Sequence, residues 1–111
     1  MLPKPKRLST KAFKEIIDTG KYLHNPLFLF RSVSFQGPSK FSVSVPKKVA
    51  KTAVLRNKIR RRIYSVLNKL FPEFKDGIQA ILIAKPDILK ASFKELSTEI
   101  KEFFGKTGLL K

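Results

Sequence analysis

The chain has no cysteine, no tryptophan, a single histidine and only 8 acidic residues among 111. Without cysteine there is no disulfide, no thiol nucleophile and no thiolate metal ligand. A reducing cytoplasm is the compartment expected. His24, just before Asn25-Pro26, reads as a turn residue rather than a catalytic base. Asp18, Asp76, Asp87 and five Glu are scattered, with none paired at a motif spacing. The sequence contains no metal-binding His-Glu motif, no phosphate-cradling glycine loop and no Ser-His-Asp set. No apolar run approaches the roughly 20 residues of a membrane span, and MLPKPKRLSTK lacks a signal-peptide core. Neither catalysis by the protein's own groups nor a cofactor held by a protein motif is expected.

What the chain has in excess is positive charge. Its 24 Lys and Arg against 8 acids give a net charge of +16. The distribution says more than the total. Between Asp18 and Glu73 lie 54 residues with 12 Lys or Arg and not one carboxylate. A surface of that kind repels itself and attracts a polyanion. Nucleic acid is the leading partner, well ahead of an anionic membrane or a merely solvated charge run.

With 42% hydrophobic residues and 10 Phe, 111 residues suffice for one small domain. Residues 1–7, with Pro3 and Pro5, read as a flexible basic arm. Ser9 or Thr10 is placed to cap a helix ending near Thr19, with Gly20 as its left-handed stop. Strands are expected over 21–24, 27–35 and 41–45, with a turn at Gln36-Gly37-Pro38-Ser39. A second helix should run from near Thr52 to just before Pro72, burying Ile59, Ile63, Val66, Leu67 and Leu70 at i, i+4, i+7, i+8 and i+11. Ile78–Ala84 reads as a strand covered on both faces. Ser92-Phe93-Lys94-Glu95 is a capping box. It opens a third helix with Phe93, Leu96, Ile100, Phe103 and Phe104 inward and Gly105 at its end. The order of elements implies an α+β or split α/β sandwich in a single domain.

At about 100° per residue, Asn57, Arg60, Arg61 and Tyr64 share one flank of the second helix. Lys58, Arg62 and Lys69 point elsewhere, so the helix is basic on more than one side. Arginine bridges phosphate oxygens, asparagine bonds a phosphate or base edge, and tyrosine stacks or donates its hydroxyl. Such a row, fixed by a buried inner face, is a preorganised RNA-binding surface; a solvated basic helix is the plain alternative.

Lys47-Lys48 followed by Ala53-Val54-Leu55-Arg56-Asn57-Lys58-Ile59-Arg60-Arg61 resembles the signature of the bacterial ribonuclease P protein component. The flanks resemble it too: Arg7-Leu8 before the Phe13 helix, Ser42-Val43-Ser44-Val45, Ile81-Leu82-Ile83-Ala84-Lys85-Pro86, and Ser92-Phe93-Lys94-Glu95-Leu96. The resemblance spans nearly the whole chain. It implies a four-stranded sheet with about three helices, a left-handed βαβ crossover against the usual rule, and a fold shared with ribosomal domains.

In function it implies a non-catalytic subunit. The partner would be a catalytic RNA that uses magnesium ions to cut the 5′ leader from precursor tRNA, with no membrane or DNA partner. Carried onto matching positions, RNA-binding residues would be Lys47, Lys48, Arg56, Asn57, Lys58, Arg60, Arg61 and Arg62. A cleft for the single-stranded leader would be lined by Phe13, Ile17, Arg31, Asn57, Arg60 and Tyr64.

This sequence departs from the family pattern in places. Tyr64 stands where an Arg is usual, Ser65 where a Glu is frequent, and Arg31 where a cleft aromatic is common. Ala50-Lys51-Thr52 makes a loop one residue longer. The expectation is that the cleft keeps its charge and stacking by exchanging Arg and aromatic between positions 31 and 64. A ribosomal-type or general RNA-binding protein is the second reading. A DNA regulator would need a helix-turn-helix pair, and a self-sufficient metal nuclease would need clustered carboxylates.

Overall fold

A hydrophobic run with period two builds a sheet, and one with period 3.6 builds the helices that cover it. The computed structural model describes residues 10–34, 36–37 and 39–110, without the side chains of Thr10, Ala12, Phe13 and Thr19. The expected arm, residues 1–7, lies outside the described residues. Helix α1 spans Thr10–Thr19, strands β1, β2 and β3 span Lys21–His24, Phe28–Ser34 and Lys40–Ser44, and helix α2 spans Ala53–Leu70. Strand β4 (Ile78–Ala84) and helix α3 (Phe93–Thr107) complete the order. Two 3-10 turns, Phe71–Glu73 and Pro86–Lys90, flank β4, each with proline in its first turn.

The four strands lie in the order β1-β2-β4-β3. The pairs β1–β2 and β2–β4 are antiparallel, whereas β3 and β4 are parallel and joined through α2. Alternation assigns the two faces. Phe28 and Phe30 of β2, Phe41 and Val43 of β3, and Ala80 and Leu82 of β4 point to the side of α2 and α3. There Phe103 meets Phe28 at 5.0 Å between centroids and Phe30 at 5.1 Å, while Phe74 meets Phe41 and Phe104 at 4.7 and 4.8 Å. Such edge-on and tilted pairs each add about 0.5–1.5 kcal/mol beyond area burial. The stripe Ile59, Ile63, Val66, Leu67 and Leu70 is buried in the same core, as its spacing requires.

The opposite face carries α1, which packs on β2 and β4. Ile16 and Ile81 are fully buried and stand apart from the main cluster. Register aligns Tyr22 with Arg31, Arg31 with Ile81, and Ile81 with Ser42. One row of side chains therefore crosses the whole sheet on the face that bears α1.

Three local expectations are corrected. Gly20 does not adopt a left-handed conformation; its φ is not among the positive glycine values. It is needed because a Cβ there would stand 2.5 Å from the Ile16 carbonyl oxygen, to which the Gly20 N–H donates at 2.8 Å. Gly105 lies inside α3, and Gly108, left-handed at φ 75°, ends the helix directly after Thr107. Phe93 is 41% exposed and not part of the inward face, since it occupies the first helical position beside the Ser92 cap.

Candidate nucleic-acid interface

Strand β3 is an outer strand, so one of its edges has no sheet partner. Helix α2 lies against it. The Tyr64 hydroxyl accepts a hydrogen bond from the Val43 N–H at 3.1 Å, closing an edge group that the sheet leaves unpaired. Between strand and helix runs a groove of about 510 Å³ lined by Ser42, Val43, Asn57, Arg60, Arg61 and Tyr64. The four helical residues that sequence spacing placed on one flank are thus brought together. Arg60 Nη2 donates to Asn57 Oδ1, so the guanidinium and the amide are held as a pair.

Tyr64 differs from its expected part. It is only 6% exposed, and its ring belongs to the main core. A buried ring with an engaged hydroxyl is a wall of the groove rather than a platform for a base. The supposed exchange between positions 31 and 64 is therefore not what the side chains do. Arg31 donates from Nη1 to the Ile17 carbonyl of α1, and its guanidinium carbon lies 4.4 Å from the centre of the Tyr22 ring. Its aromatic partner is on the neighbouring strand. Ile17 is partly exposed beside this contact; the side chain of Phe13 lies outside the described ones.

Lys47 and Lys48 are exposed in a turn closed by the Val49 and Ala50 N–H groups on the Pro46 carbonyl, at 2.9 and 3.2 Å. Arg56 has a use that spacing does not reveal. Its Nη1 donates to the carbonyls of Ala50 and Lys51, both at 3.0 Å, and ties the longer loop to the start of α2. Thr52 caps the helix, accepting from the Leu55 N–H at 3.2 Å. On the other flank Val54, 80% exposed, shares a shallow hollow with Lys58, Arg61 and Arg62. Arg61 is the ridge between hollow and groove. No acidic residue stands in the first turn of α2 to offset these cations.

Among the described residues, no three His, Cys, Asp or Glu side chains gather to hold a metal ion, and no helix is long and apolar enough to cross a membrane. The groove is lined by two arginines, an asparagine, a serine, a valine and a tyrosine, with no carboxylate among them. The sequence model of the ribonuclease P protein family, described as "Ribonuclease P", matches residues 2–108. The chain belongs to this family.

Relatives named ribonuclease P protein component include one from Microcystis aeruginosa, 31% identical, with 98% of this chain and 96% of the relative covered. Another, from a Synechococcus strain, is 35% identical over 99% of this chain and 92% of its own length. Among solved structures, the Staphylococcus aureus RNase P protein superposes with a TM-score of 0.84 at 20% identity, covering 96% of this chain and 98% of that one. The Thermotoga maritima RNase P protein gives 0.79 at 19% identity, covering 90% and 96%. The four-stranded mixed sheet with three helices is thus a ribonuclease P protein fold. The chain is the protein subunit of the ribonucleoprotein enzyme that processes tRNA.

Proposed function

We propose that this subunit binds the catalytic RNA of ribonuclease P through α2 and the Lys47-Lys48 turn, and binds the 5′ leader of precursor tRNA along the groove and sheet face. The observation that carries the reading is the groove itself: Asn57, Arg60 and Arg61 converge beside Ser42 in a stretch without a carboxylate. Arg60 and Arg61 bond phosphate oxygens, and Asn57 orients Arg60 or meets a base edge. Lys58 and Arg62, on the far flank, face a second length of RNA. The turn held by Arg56 carries Lys47 and Lys48 toward the same partner.

The magnesium ions of the reaction belong to the RNA in this reading, since no carboxylates cluster to hold them among the described residues. The protein contributes binding: it neutralises phosphates and holds the leader so that the scissile bond lies in the RNA's active site. The site of action is the cytoplasm, where precursor tRNA is made.

Reconstitution tests the proposal. A bacterial ribonuclease P RNA at low magnesium should cut precursor tRNA at the mature 5′ end only when the protein is added. The protein should also favour precursor over mature tRNA. RNA binding without restored cleavage, across several partner RNAs, would refute it.

A further inference from the structure

Strand β1 is the other outer strand, and all four of its residues are exposed. Tyr22 keeps 54% of its surface in contact with solvent. Cross-strand pairing with Arg31 puts it on the sheet face that bears α1 and ends at Ser42 in the groove. The Arg31 guanidinium lies over its ring at 4.4 Å, and the His24 ring meets it edge-on at 6.3 Å and 77°. Lys85 reaches the same corner, its Nζ donating to the Asn25 carbonyl at 2.8 Å and standing 3.5 Å from His24 Nδ1.

We infer that Tyr22, stacked on Arg31, is a platform for one unpaired nucleobase of a single-stranded RNA. The inference rests on the leader-binding reading above and adds to it a second contact point, at the opposite edge of the sheet. An exposed aromatic ring layered with a cation offers a π surface of a kind that any base can extend. Arg31 Nε is buried with no hydrogen-bond partner in the free protein, so this side chain retains an unsatisfied donor. Arg31 and Lys85 supply positive charge for the backbone flanking that base. Tyr64 cannot serve instead, because its ring is buried and its hydroxyl is engaged at Val43.

The test uses the full chain reconstituted with a bacterial ribonuclease P RNA, and precursor tRNAs carrying 2-aminopurine at single leader positions. One position should be quenched by the wild-type holoenzyme. Tyr22→Ala should abolish that quenching and weaken leader-dependent binding about tenfold, whereas Tyr22→Phe should preserve both. Tyr22→Thr keeps strand propensity and replaces the alanine variant if thermal unfolding shows the latter to be misfolded. Arg60→Ala separates the two readings. If it weakens leader binding while Tyr22→Ala binds and quenches like wild type, the platform is refuted and the groove stands. If neither variant changes leader binding, both readings fall. A dimer in light scattering that Tyr22→Ala disperses, with quenching unaltered, would assign the ring to a second copy of the chain and also overturn the proposal.

Discussion

Tyr64 and Arg60 lie one helical turn apart and do opposite kinds of work. Tyr64 satisfies a backbone group at the sheet edge, so Tyr64→Phe should lower stability by about 1–2 kcal/mol, the cost of leaving the Val43 N–H unpaired. Urea unfolding measures it, and RNA affinity at fixed folded fraction should hardly move. Arg60→Ala should do the reverse. It leaves stability nearly unchanged while the slope of log affinity against log salt flattens by about 0.7 unit, one single-strand phosphate contact. An unchanged slope would remove Arg60 from the phosphate contacts. Asn25 is a third case: its Oδ1 accepts from the Leu27 N–H at 2.9 Å and its Nδ2 donates to Glu99 at 3.1 Å, fastening the β1–β2 turn to α3. Asn25→Ala should lower stability by about 1–3 kcal/mol, read by the same unfolding experiment.

At the level of elements, what was legible in the sequence depended on whether a local rule had a competitor. The α2 stripe was legible because five apolar residues at helical spacing admit one inward face, and all five are buried. Strands β1 and β4 fell within the expected limits because Gly20, Asn25-Pro26, Gly77 and Pro86 bound them. The groove flank was legible from angles alone. The burial of Tyr64 and the partner of its hydroxyl were not legible, because helical angle gives the direction of a side chain but not what stands opposite it, and an unpaired strand edge stands there. The Tyr22–Arg31 stack was hidden for a similar reason: it depends on the β1–β2 register, which only the folded hairpin sets. The glycine rule misled at Gly20, where a close local contact and not a left-handed turn requires the residue. Gly20 is dictated by the closeness of the Ile16 carbonyl, so Gly20→Ala should destabilise by about 1–3 kcal/mol even though its φ is ordinary. A thermal scan of that variant would check it.

The whole molecule folds against its own charge. A net +16 on 111 residues raises the energy of the compact state, and mobile anions relieve it. The melting temperature should therefore rise as salt is added from low ionic strength, by screening alone. Bound RNA should raise it further, since a ligand that prefers the folded state adds its binding free energy to stability. RNA affinity should fall over the same salt range. A melting temperature independent of salt would show that the cations are already neutralised within the fold.

The unequal packing of the two sheet faces has a dynamic consequence. On one side a network of phenylalanines from β2, β3, α3 and the segment after α2 packs with the apolar stripe of α2; on the other, the buried Ile16 side chain and the Arg31 bond to the Ile17 carbonyl hold α1 among the described side chains. Helix α1 is expected to open as a unit of its own, ahead of the body it covers. Amides of α1 should exchange with solvent deuterium before those of α2 and β4, and without global unfolding. Each such opening would expose the middle of the row that runs from Ser42 to Tyr22, at Arg31 and Ile81, so the face proposed to receive RNA would gain area without global unfolding.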